Sequence, residues 1–367
     1  MVIKTITAKE LEQRADPSVL ILDVREKDAF DDWHIPGAIN IDVSKDMKEG
    51  KFTDAMEKLK DLPIEKKIIT VCNKGMTAHN ASLVLDSMGY QTEVLEHGMT
   101  GWNTLCISGE IIHEQDLVIV QIARMGKGCL SYIIISPSTT EALVIDPSIF
   151  TDEYLDRVNE YGAMIGKVLE THVHADHLSG AQELCERTNA EYFASSDDIK
   201  TIKNDVKKMS SIEMGNNKIE ILRTPGHTEG SVCYLLNTYL FTGDTLFLDG
   251  VGRPDLGKTK EEMDTSAHAL FHSLEKIKQL DEKVIVLPAH VPMVQKIPQT
   301  KSLGEVIKDN KSLHTSSEEE FVHHILSTLP IPPPHYHQIK QMNLALVRAD
   351  RETAQKLEFG PNRCATG

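Results

Sequence analysis

The sequence has no apolar run long enough to cross a membrane and no excess of positive charge. Its longest largely apolar runs, such as Leu117–Ile122 and Val284–Leu287, fall far short of the ~20 residues that a spanning helix needs. Residues 1–6 also lack the apolar core of a secretory signal. Lys and Arg number 39 against 55 Asp and Glu, a formal net charge of −16. Such an acidic chain is poorly suited to phosphate backbones, so we expect neither nucleic acid nor membrane as a partner.

Paired cysteine motifs are absent as well. Six cysteines are scattered singly at positions 72, 106, 129, 185, 233 and 364, and no two form a CxxC pair. In a chain of this length without a secretory signal, this pattern predicts reduced thiols and a cytoplasmic protein. No internal repeat or low-complexity segment is apparent, and 22 Gly and 15 Pro are ordinary for a globular protein.

The length of 367 residues favours two domains, and the hydrophobic pattern changes near position 110. Before it, short buried strands alternate with amphipathic helices, which is typical of a parallel sheet covered by helices. After it, three β-like runs follow one another closely and are separated by turn residues. We place the boundary at the polar segment Glu110–Gln115, which predicts one domain over residues 1–110 and another over 111–367.

Cys72 lies between a predicted strand, Ile68–Val71, and a predicted helix that begins near Thr77. A loop over residues 72–77 would point backbone N–H groups at the sulfur, and the helix N-terminus would add partial positive charge. Lys74 adds a full positive charge. Because each effect favours thiolate over thiol, this context predicts a nucleophilic cysteine rather than a small buried apolar residue.

Four ordered motifs over about residues 5–105 resemble a rhodanese domain. They are Leu22–Arg25, His34–Ala38, Cys72–Thr77 and Glu96–Trp102. The resemblance implies that Cys72 carries a persulfide and transfers sulfane sulfur between thiosulfate or a thiol persulfide and an acceptor. It also implies that the loop residues Lys74, Gly75 and Thr77 bind substrate. Rhodanese loops often carry an arginine where this chain has Met76, so Lys74 is the remaining anion contact.

A second set of motifs is rich in histidine and carboxylate, and each follows a predicted strand. Together they supply His172, His174, Asp176, His177, His227, Asp244 and His290. Because the C-terminal ends of α/β strands present the site of such a sheet, we expect these side chains to converge on metal. They suffice for two metal ions, as in a dizinc hydrolase, or for one site of two histidines and a carboxylate, as in non-haem Fe(II) oxygenases. Ligand count alone leaves both open.

The order of these motifs, with HxHxDH over residues 172–177, resembles the metallo-β-lactamase superfamily across about residues 116–295. That resemblance implies an αββα sandwich with the metal at the edge between the sheets. The fold predicted for the whole chain is therefore α/β, with a rhodanese-like parallel α/β domain followed by a metallo-β-lactamase sandwich.

Three further features resemble the persulfide dioxygenases, the relatives of the ethylmalonic encephalopathy protein. These are the GxGRxD pattern within Leu248–Asp255, His290 within Pro-Ala-His, and the tail Gly360–Cys364. The fusion adds a chemical argument, since a sulfur-transfer domain suits a partner that consumes persulfide. It suits a lactoylglutathione hydrolase much less.

This resemblance implies that one Fe(II) per chain is held by His172, His227 and Asp244. The other side chains would orient the ligands or water, or hold a second metal ion: His174, Asp176, His177 and His290. Arg253 would either bind an acidic thiol substrate or form a salt bridge within its loop.

The implied enzyme oxidises a low-molecular-weight thiol persulfide, such as glutathione persulfide, with O2 to sulfite and free thiol. Cys72 would transfer sulfane sulfur among persulfide, sulfite and thiosulfate, in a direction that the sequence leaves open. Two alternatives remain: a glyoxalase II-like thioester hydrolase with two Zn and an attached rhodanese, and a persulfide carrier or sensor without turnover. The thiol carrier (glutathione, coenzyme A or bacillithiol) and the oligomeric state also stay open, and a homo-oligomer is compatible with the sequence. Whether the two sites face each other is also left open by the sequence.

Overall fold

The computed structural model describes residues 3–14, 16–294, 296–361 and 363–366. Asn362 of the tail motif and the first two residues of the N-terminal segment lie outside the described residues. The chain divides into two compact units, the first ending at Leu105 and the second beginning at Cys106. Two short segments, Arg124–Lys127 and Phe359–Pro361, belong to the first unit.

The first unit is built on a parallel sheet. Its strands are β1 Lys4–Ile6, β2 Val19–Asp23, β3 Ile39–Asn40, β4 Lys67–Val71 and β5 Thr92–Leu95. Its helices are α1 Ala8–Gln13, α2 Lys27–Asp32, α3 Ser44–Glu49, α4 Phe52–Leu59, α5 Met76–Ser87 and α6 Gly98–Thr104. Within the described part of the chain the sheet has five strands in the order β1-β5-β4-β2-β3, and all neighbours pair in parallel.

The central strand β4 explains why this sheet is covered by helices. Ile68, Ile69 and Val71 are almost fully buried, so both faces of the strand need apolar cover. Helix α5 supplies part of that cover, because Ala81 and Leu85 pack in one core with Ile68. The predicted parallel α/β domain is confirmed.

The second unit contains two larger sheets and a short strand pair. The strands of the first sheet are β6 Cys106–Glu114, β7 Leu117–Arg124, β8 Cys129–Ser136, β9 Glu141–Ile145, β10 Met164–Leu169, β11 Glu191–Ala194 and β12 Asn204–Asp205. The remaining strands are β13 Ser211–Met214, β14 Asn217–Arg223, β15 Val232–Leu236, β16 Tyr239–Gly243, β17 Val251–Gly252, β18 Ile285–Pro288, β19 Lys301–Ser302 and β20 Ala365–Thr366. The helices are α7 Thr151–Glu160, α8 Ala181–Thr188, α9 Lys260–Ile277, α10 Leu303–Asp309, α11 Glu318–Ser327, α12 Tyr336–Ala345 and α13 Arg351–Leu357.

The two larger sheets form a sandwich with helices outside. Over the described residues their strand orders are β12-β11-β10-β9-β8-β7-β6 and β13-β14-β15-β16-β18-β19, and β17 pairs with β20. Tyr132 of β8 meets Phe241 of β16 edge to face at 5.0 Å between ring centroids, so the sheets pack against each other. Tyr154 of α7 and Leu184 of α8 share a core with the seven-stranded sheet. Helix α10 contacts β18 of the other sheet. This is the predicted αββα arrangement.

Strand β6 differs from the expectation for its segment. Residues Glu110–Gln115, predicted as a polar boundary, lie mostly inside this strand. The strand is at the edge of its sheet and its residues are half-buried or exposed, so it lacks the apolar alternation that marks other strands. Among the described helices, none combines the length and the apolar character that a membrane span requires.

Candidate metal centre and cysteine loop

The candidate metal ligands follow the ends of strands, as the sequence predicts. The loop that carries the HxHxDH motif follows β10, and the other groups follow β14, β16 and β18. The side chains brought together in this way are all buried: His172, His174, Asp176, His177, His227, Asp244 and His290. They separate into distinct groups whose ligand atoms lie close together.

His172, His227 and Asp244 form one of these groups, with their ligand atoms within 4.8 Å of one another. The Nε2 atoms of His172 and His227 lie 3.8 Å and 3.6 Å from Oδ2 of Asp244. Two of these atoms, Nε2 of His172 and Oδ2 of Asp244, are buried without a hydrogen-bond partner among the described residues. Buried polar atoms without a partner are costly, and a metal ion would satisfy them.

The second nitrogen of each histidine in this group fixes the ring. Nδ1 of His172 lies 2.9 Å from Thr171 Oγ1, and Nδ1 of His227 lies 2.7 Å from the carbonyl oxygen of Arg253. An Nδ1–H donated to that carbonyl leaves Nε2 of His227 as the free lone pair. Burial lowers the pKa of both histidines, well below the usual range for His172. Neutral imidazoles are the form that binds metal, so this group fits a single ion with two histidines and a carboxylate.

A second group consists of Cys129, Asp176, His177 and His290. Nδ1 of His290 donates to Oδ1 of Asp244 at 2.6 Å, and its Nε2 lies 2.8 Å from Oδ2 of Asp176. Burial alone would lower the pKa of His290, but Asp244 and Asp176 raise it well above its ordinary value. Nε2 of His290, like Nε2 of His177, is buried without a hydrogen-bond partner among the described residues. This group therefore also offers ligand atoms that a metal ion would satisfy.

Cys129, at the start of β8, was not predicted as a site residue. Its Sγ lies 3.7 Å from Oδ2 of Asp176. Burial raises the pKa of this thiol, but His177 and His290 outweigh that effect and bring it to about 7. A single cysteine at a strand start carries no motif, so the only available signal was the strand itself.

We expect Cys129 to ionise near pH 7 in the metal-free protein. The difference in thiolate absorbance near 240 nm between the wild type and Cys129→Ser should titrate with a midpoint at about 7. Because the usual thiol value is about 8.5, the thiolate contributes stability above that pH, and this contribution is lost as the pH falls through 7. Cys233→Ser is the control, since burial raises the pKa of Cys233 to about 11. A midpoint above 8 would contradict the expectation.

Asp146, Glu170 and His174 form a third group, at the start of the loop that carries the HxHxDH motif. Nε2 of His174 lies 2.9 Å from Oε2 of Glu170 and 3.4 Å from Oδ1 of Asp146. The ring of His174 lies close to that of His172, with 4.3 Å between centroids. Its Nδ1 is buried without a hydrogen-bond partner among the described residues. Glu170 and Asp146 were not predicted. Their one signal was position, since each follows directly after a strand, β10 and β9.

Arg253 forms the salt bridge that was one of its two predicted roles. Its Nε lies 2.7 Å from Oδ1 of Asp255. Its Nη2 and Nη1 donate to the carbonyl oxygens of Pro330 and Arg363, at 2.9 Å and 3.0 Å. The side chain is 1% exposed, so it ties its loop to later segments of the chain. Substrate binding by Arg253 stays a prediction.

The backbone of the metal loop is held by two residues near the C-terminus of the chain. Nδ2 of Asn343 in α12 donates to the carbonyl oxygens of His174 and His177, both at 2.9 Å. Oε1 of Glu358 accepts from the backbone N–H of Leu178 at 2.5 Å. These contacts satisfy buried backbone groups of an irregular loop, which has no regular strand or helix pairing to satisfy them.

The cysteine loop of the first unit has the predicted form. The backbone N–H groups of Gly75 and Ala78 lie 3.2 Å and 3.3 Å from Sγ of Cys72. Gly75 takes a positive φ of 96° and precedes α5. Lys74 is exposed and Thr77 is half-buried. The N–H groups stabilise negative charge on sulfur, while substrate binding by Lys74, Gly75 and Thr77 stays a prediction.

Gly98→Ala should disrupt the cysteine loop. Gly98 has φ of +52°, and an added Cβ would lie 1.9 Å from the carbonyl oxygen of Cys72. We expect sulfur transfer to fall at least about tenfold and unfolding free energy to drop by about 1–3 kcal/mol, since the backbone must shift. Sulfur transfer to cyanide and urea unfolding measure the two effects. Gly89→Ala is the matched control, because its φ is +91° but no atom lies within 4 Å. Equal behaviour of the two variants would contradict a role for this contact.

Comparison with known proteins agrees with this fold. Residues 7–105 match the rhodanese-like domain, and residues 124–217 and 210–290 match the metallo-beta-lactamase superfamily. The probable polyketide biosynthesis zinc-dependent hydrolase BaeB of Bacillus velezensis is 32% identical over 199 residues, which are 52% of this chain and 84% of that protein. A hydroxyacylglutathione hydrolase of Synechococcus is 33% identical over 43% of this chain and 62% of its own length.

A solved structure is similar as well. The crystal structure of ETHE1 from Myxococcus xanthus superposes with a TM-score of 0.55 at 28% identity, covering 66% of this chain and all of that one. The chain therefore belongs to the metallo-beta-lactamase superfamily. It carries a rhodanese-like domain ahead of the metallo-beta-lactamase domain.

Proposed function

We propose that this protein is a persulfide dioxygenase with an attached sulfurtransferase. The observation that carries the proposal is the group His172, His227 and Asp244, which offers two neutral imidazoles and one carboxylate around one centre. Such a set leaves several coordination positions open and is typical of Fe(II) oxygenases. The similarity to the ETHE1 structure supports the proposal of a persulfide dioxygenase. The sequence motifs that resemble the persulfide dioxygenases support it as well.

The proposed reaction consumes a thiol persulfide, O2 and water, and it yields thiol, sulfite and two protons. An Fe(II) ion held by His172, His227 and Asp244 would supply the redox chemistry that adds both atoms of O2 to the terminal sulfur. The surrounding residues orient these ligands. Nδ1 of His290 donates to Oδ1 of Asp244, which leaves Oδ2 for the ion. Asn343 fixes the loop that carries His172.

Cys72 would perform the sulfur transfer. In one direction, its thiolate takes the terminal sulfur from a thiol persulfide and releases the thiol. The resulting Cys72 persulfide can pass that sulfur to sulfite, which forms thiosulfate and restores the thiolate. The N–H groups of Gly75 and Ala78 stabilise the negative sulfur in both states of the cysteine.

A zinc-dependent thioester hydrolase is the second candidate. It is favoured by the relatives BaeB and hydroxyacylglutathione hydrolase, whose names state hydrolytic functions and whose identities exceed that of ETHE1. The group Cys129, Asp176, His177 and His290 would then hold a second ion. Nε2 of His177 and Nε2 of His290 are both buried without a hydrogen-bond partner among the described residues, which fits such an ion.

Oxygen consumption tests the proposal. Full-length protein loaded with iron is given glutathione persulfide, and O2, sulfite and thiosulfate are measured together, with a hydroxyacylglutathione thioester as the control substrate. Stoichiometric O2 uptake with release of sulfite or thiosulfate is expected. Thioester hydrolysis by protein that retains two zinc ions and does not bind iron would favour the hydrolase. A stable Cys72 persulfide without any O2-dependent product would indicate a carrier or sensor.

A further inference from the structure

A further cluster of possible metal ligands lies between helices α9 and α11. Asp264, His268 and His272 follow one another in α9 at intervals of four residues, so they share one face of that helix. Glu318 is the first residue of α11. We call these four side chains the α9–α11 cluster. None of them belongs to the three buried groups described above, and all are partly exposed to solvent.

One carboxylate oxygen of the α9–α11 cluster is shared by two imidazoles. Oε1 of Glu318 lies 2.6 Å from Nδ1 of His268 and 3.1 Å from Nε2 of His272. The other ring nitrogen of His268, Nε2, lies 3.8 Å from Oδ2 of Asp264. Imidazoles that bind a metal usually turn their second nitrogen to a carboxylate, carbonyl or water. Two imidazole nitrogens and a carboxylate oxygen around one point are also the ligand types that zinc takes in proteins.

The helices that carry the α9–α11 cluster are packed together, but the side chains of the cluster can adjust. The rings of Phe271 in α9 and Phe321 in α11 lie 5.5 Å apart between centroids. The side chains of His268, His272 and Glu318 are 39%, 63% and 29% exposed. They can therefore rotate until their ligand atoms reach the ~2.0–2.2 Å that zinc requires. A cleft of about 500 Å³, lined in part by His268, gives an ion access from solvent.

We propose that His268, His272 and Glu318 bind one divalent transition-metal ion of the zinc type, at a site separate from the candidate metal centre. Imidazole nitrogens suit zinc, whereas Mg²⁺ and Ca²⁺ prefer sites built of oxygen atoms. The ion would take the place between the two imidazoles and the carboxylate, and its bonds would join α9 to α11. Because such an ion binds only the folded chain with both helices in place, it stabilises the folded protein. The inference stands on these residues alone and does not depend on the reaction at the metal centre.

Helix α9 also supports the loop that carries His227. The hydroxyl of Ser273 in α9 donates to the carbonyl oxygen of Pro225 at 2.7 Å. Lys258, two residues ahead of α9, donates from Nζ to the carbonyl oxygen of His227 at 3.2 Å and to the hydroxyl of Ser266 in α9 at 2.7 Å. An ion that holds α9 to α11 would therefore stabilise an element that contacts the loop of a candidate iron ligand.

Zinc binding to the full-length, iron-loaded protein tests the proposed site. Equilibrium dialysis should show one more zinc ion bound per chain in the wild type than in a variant that combines His268→Ala with His272→Ala. His272→Ala alone should weaken the binding of that ion by at least about tenfold, because even the loss of a residue that only orients ligands costs that much. The side chain of His272 is 63% exposed, so this variant should fold normally. Equal zinc binding by the wild type and the combined variant would overturn the proposal.

Thermal unfolding gives an independent measurement of the same site. Zinc should raise the unfolding temperature of the iron-loaded wild type more than that of the combined variant, because only the wild type can join α9 to α11 through the ion. Magnesium should produce no such difference, since imidazole nitrogens are poor ligands for it. An equal difference with magnesium would show that oxygen atoms alone hold the ion, and it would overturn the role of the two histidines.

Two further variants separate a metal site from an ordinary surface contact. Glu318→Gln keeps the shape of the side chain but removes its charge, so zinc should bind at least about tenfold more weakly. Unchanged zinc binding in Glu318→Gln would overturn the role of the carboxylate. The matched control is His113→Ala, because Nδ1 of His113 also faces a carboxylate oxygen, Oε2 of Glu110 at 3.2 Å, and its side chain is 57% exposed. This variant should bind zinc as the wild type does. A loss equal to that in His272→Ala would indicate nonspecific binding to surface histidines and would overturn the proposal.

Discussion

Asp244→Ala is expected to leave the protein without iron. Oδ2 of Asp244 lies 3.8 Å and 3.6 Å from the Nε2 atoms of His172 and His227, and this carboxylate supplies the negative charge of that group. Alanine removes that charge and also leaves Nδ1 of His290 without its 2.6 Å partner. Because substitution of residues that only orient ligands already costs 10–100-fold in affinity, loss of a ligand should cost more than about 100-fold.

Iron content after gel filtration and O2 uptake with glutathione persulfide measure this loss together. Sulfur transfer by the same variant should stay within about twofold of the wild type, which shows that the rhodanese-like domain is folded. Asp264→Ala is the control, because its side chain is 59% exposed and lies on α9. An iron-replete and active Asp244→Ala protein would reject this ligand assignment.

Cys72→Ser should abolish sulfur transfer and leave O2 uptake with added persulfide unchanged. A serine hydroxyl neither ionises near neutral pH nor forms a persulfide, so the N–H groups of Gly75 and Ala78 would face a group that cannot carry sulfur. We expect sulfur transfer to cyanide to fall by more than about 1000-fold, as for the loss of a covalent nucleophile. Sulfite should then accumulate without conversion to thiosulfate.

Cys185→Ser is the matched control for that experiment. Cys185 lies in α8, and burial raises the pKa of its thiol to about 12, so it is not expected to react. Both activities should survive this change. Equal loss of sulfur transfer and O2 uptake in Cys72→Ser would contradict two independently working sites.

Much of the fold could be predicted because the signals are local. A short segment of neighbouring residues was enough to identify one buried strand and its loop, namely Ile68–Val71 followed by Cys72 and a helix. The histidine motif after β10 is equally local, and the structure brings its residues together with His227, Asp244 and His290. Strand β6 was not predicted from the sequence, because a half-exposed edge strand has no strong apolar pattern.

The missed residues of the site act through long-range contacts. Asn343 reaches the carbonyl oxygen of His174 across 169 positions in the sequence, and Glu358 reaches Leu178 across 180. No periodicity or spacing reports such a contact. Cys129 and Glu170 are single residues whose surroundings are set by folding, so their chemistry appears only when His177, His290 and Asp146 are placed around them.

Translation from the N-terminus makes His172, His227, Asp244 and His290 before Asn343 and Glu358 exist. During that interval the nascent chain holds every candidate iron ligand but lacks the side chains that satisfy the carbonyl oxygens of His174 and His177 and the N–H of Leu178. The order of the metal loop therefore depends on residues that are synthesised long after the loop itself. We expect a chain truncated before Asn343 to keep the candidate ligands but to lose the contacts that hold their loop.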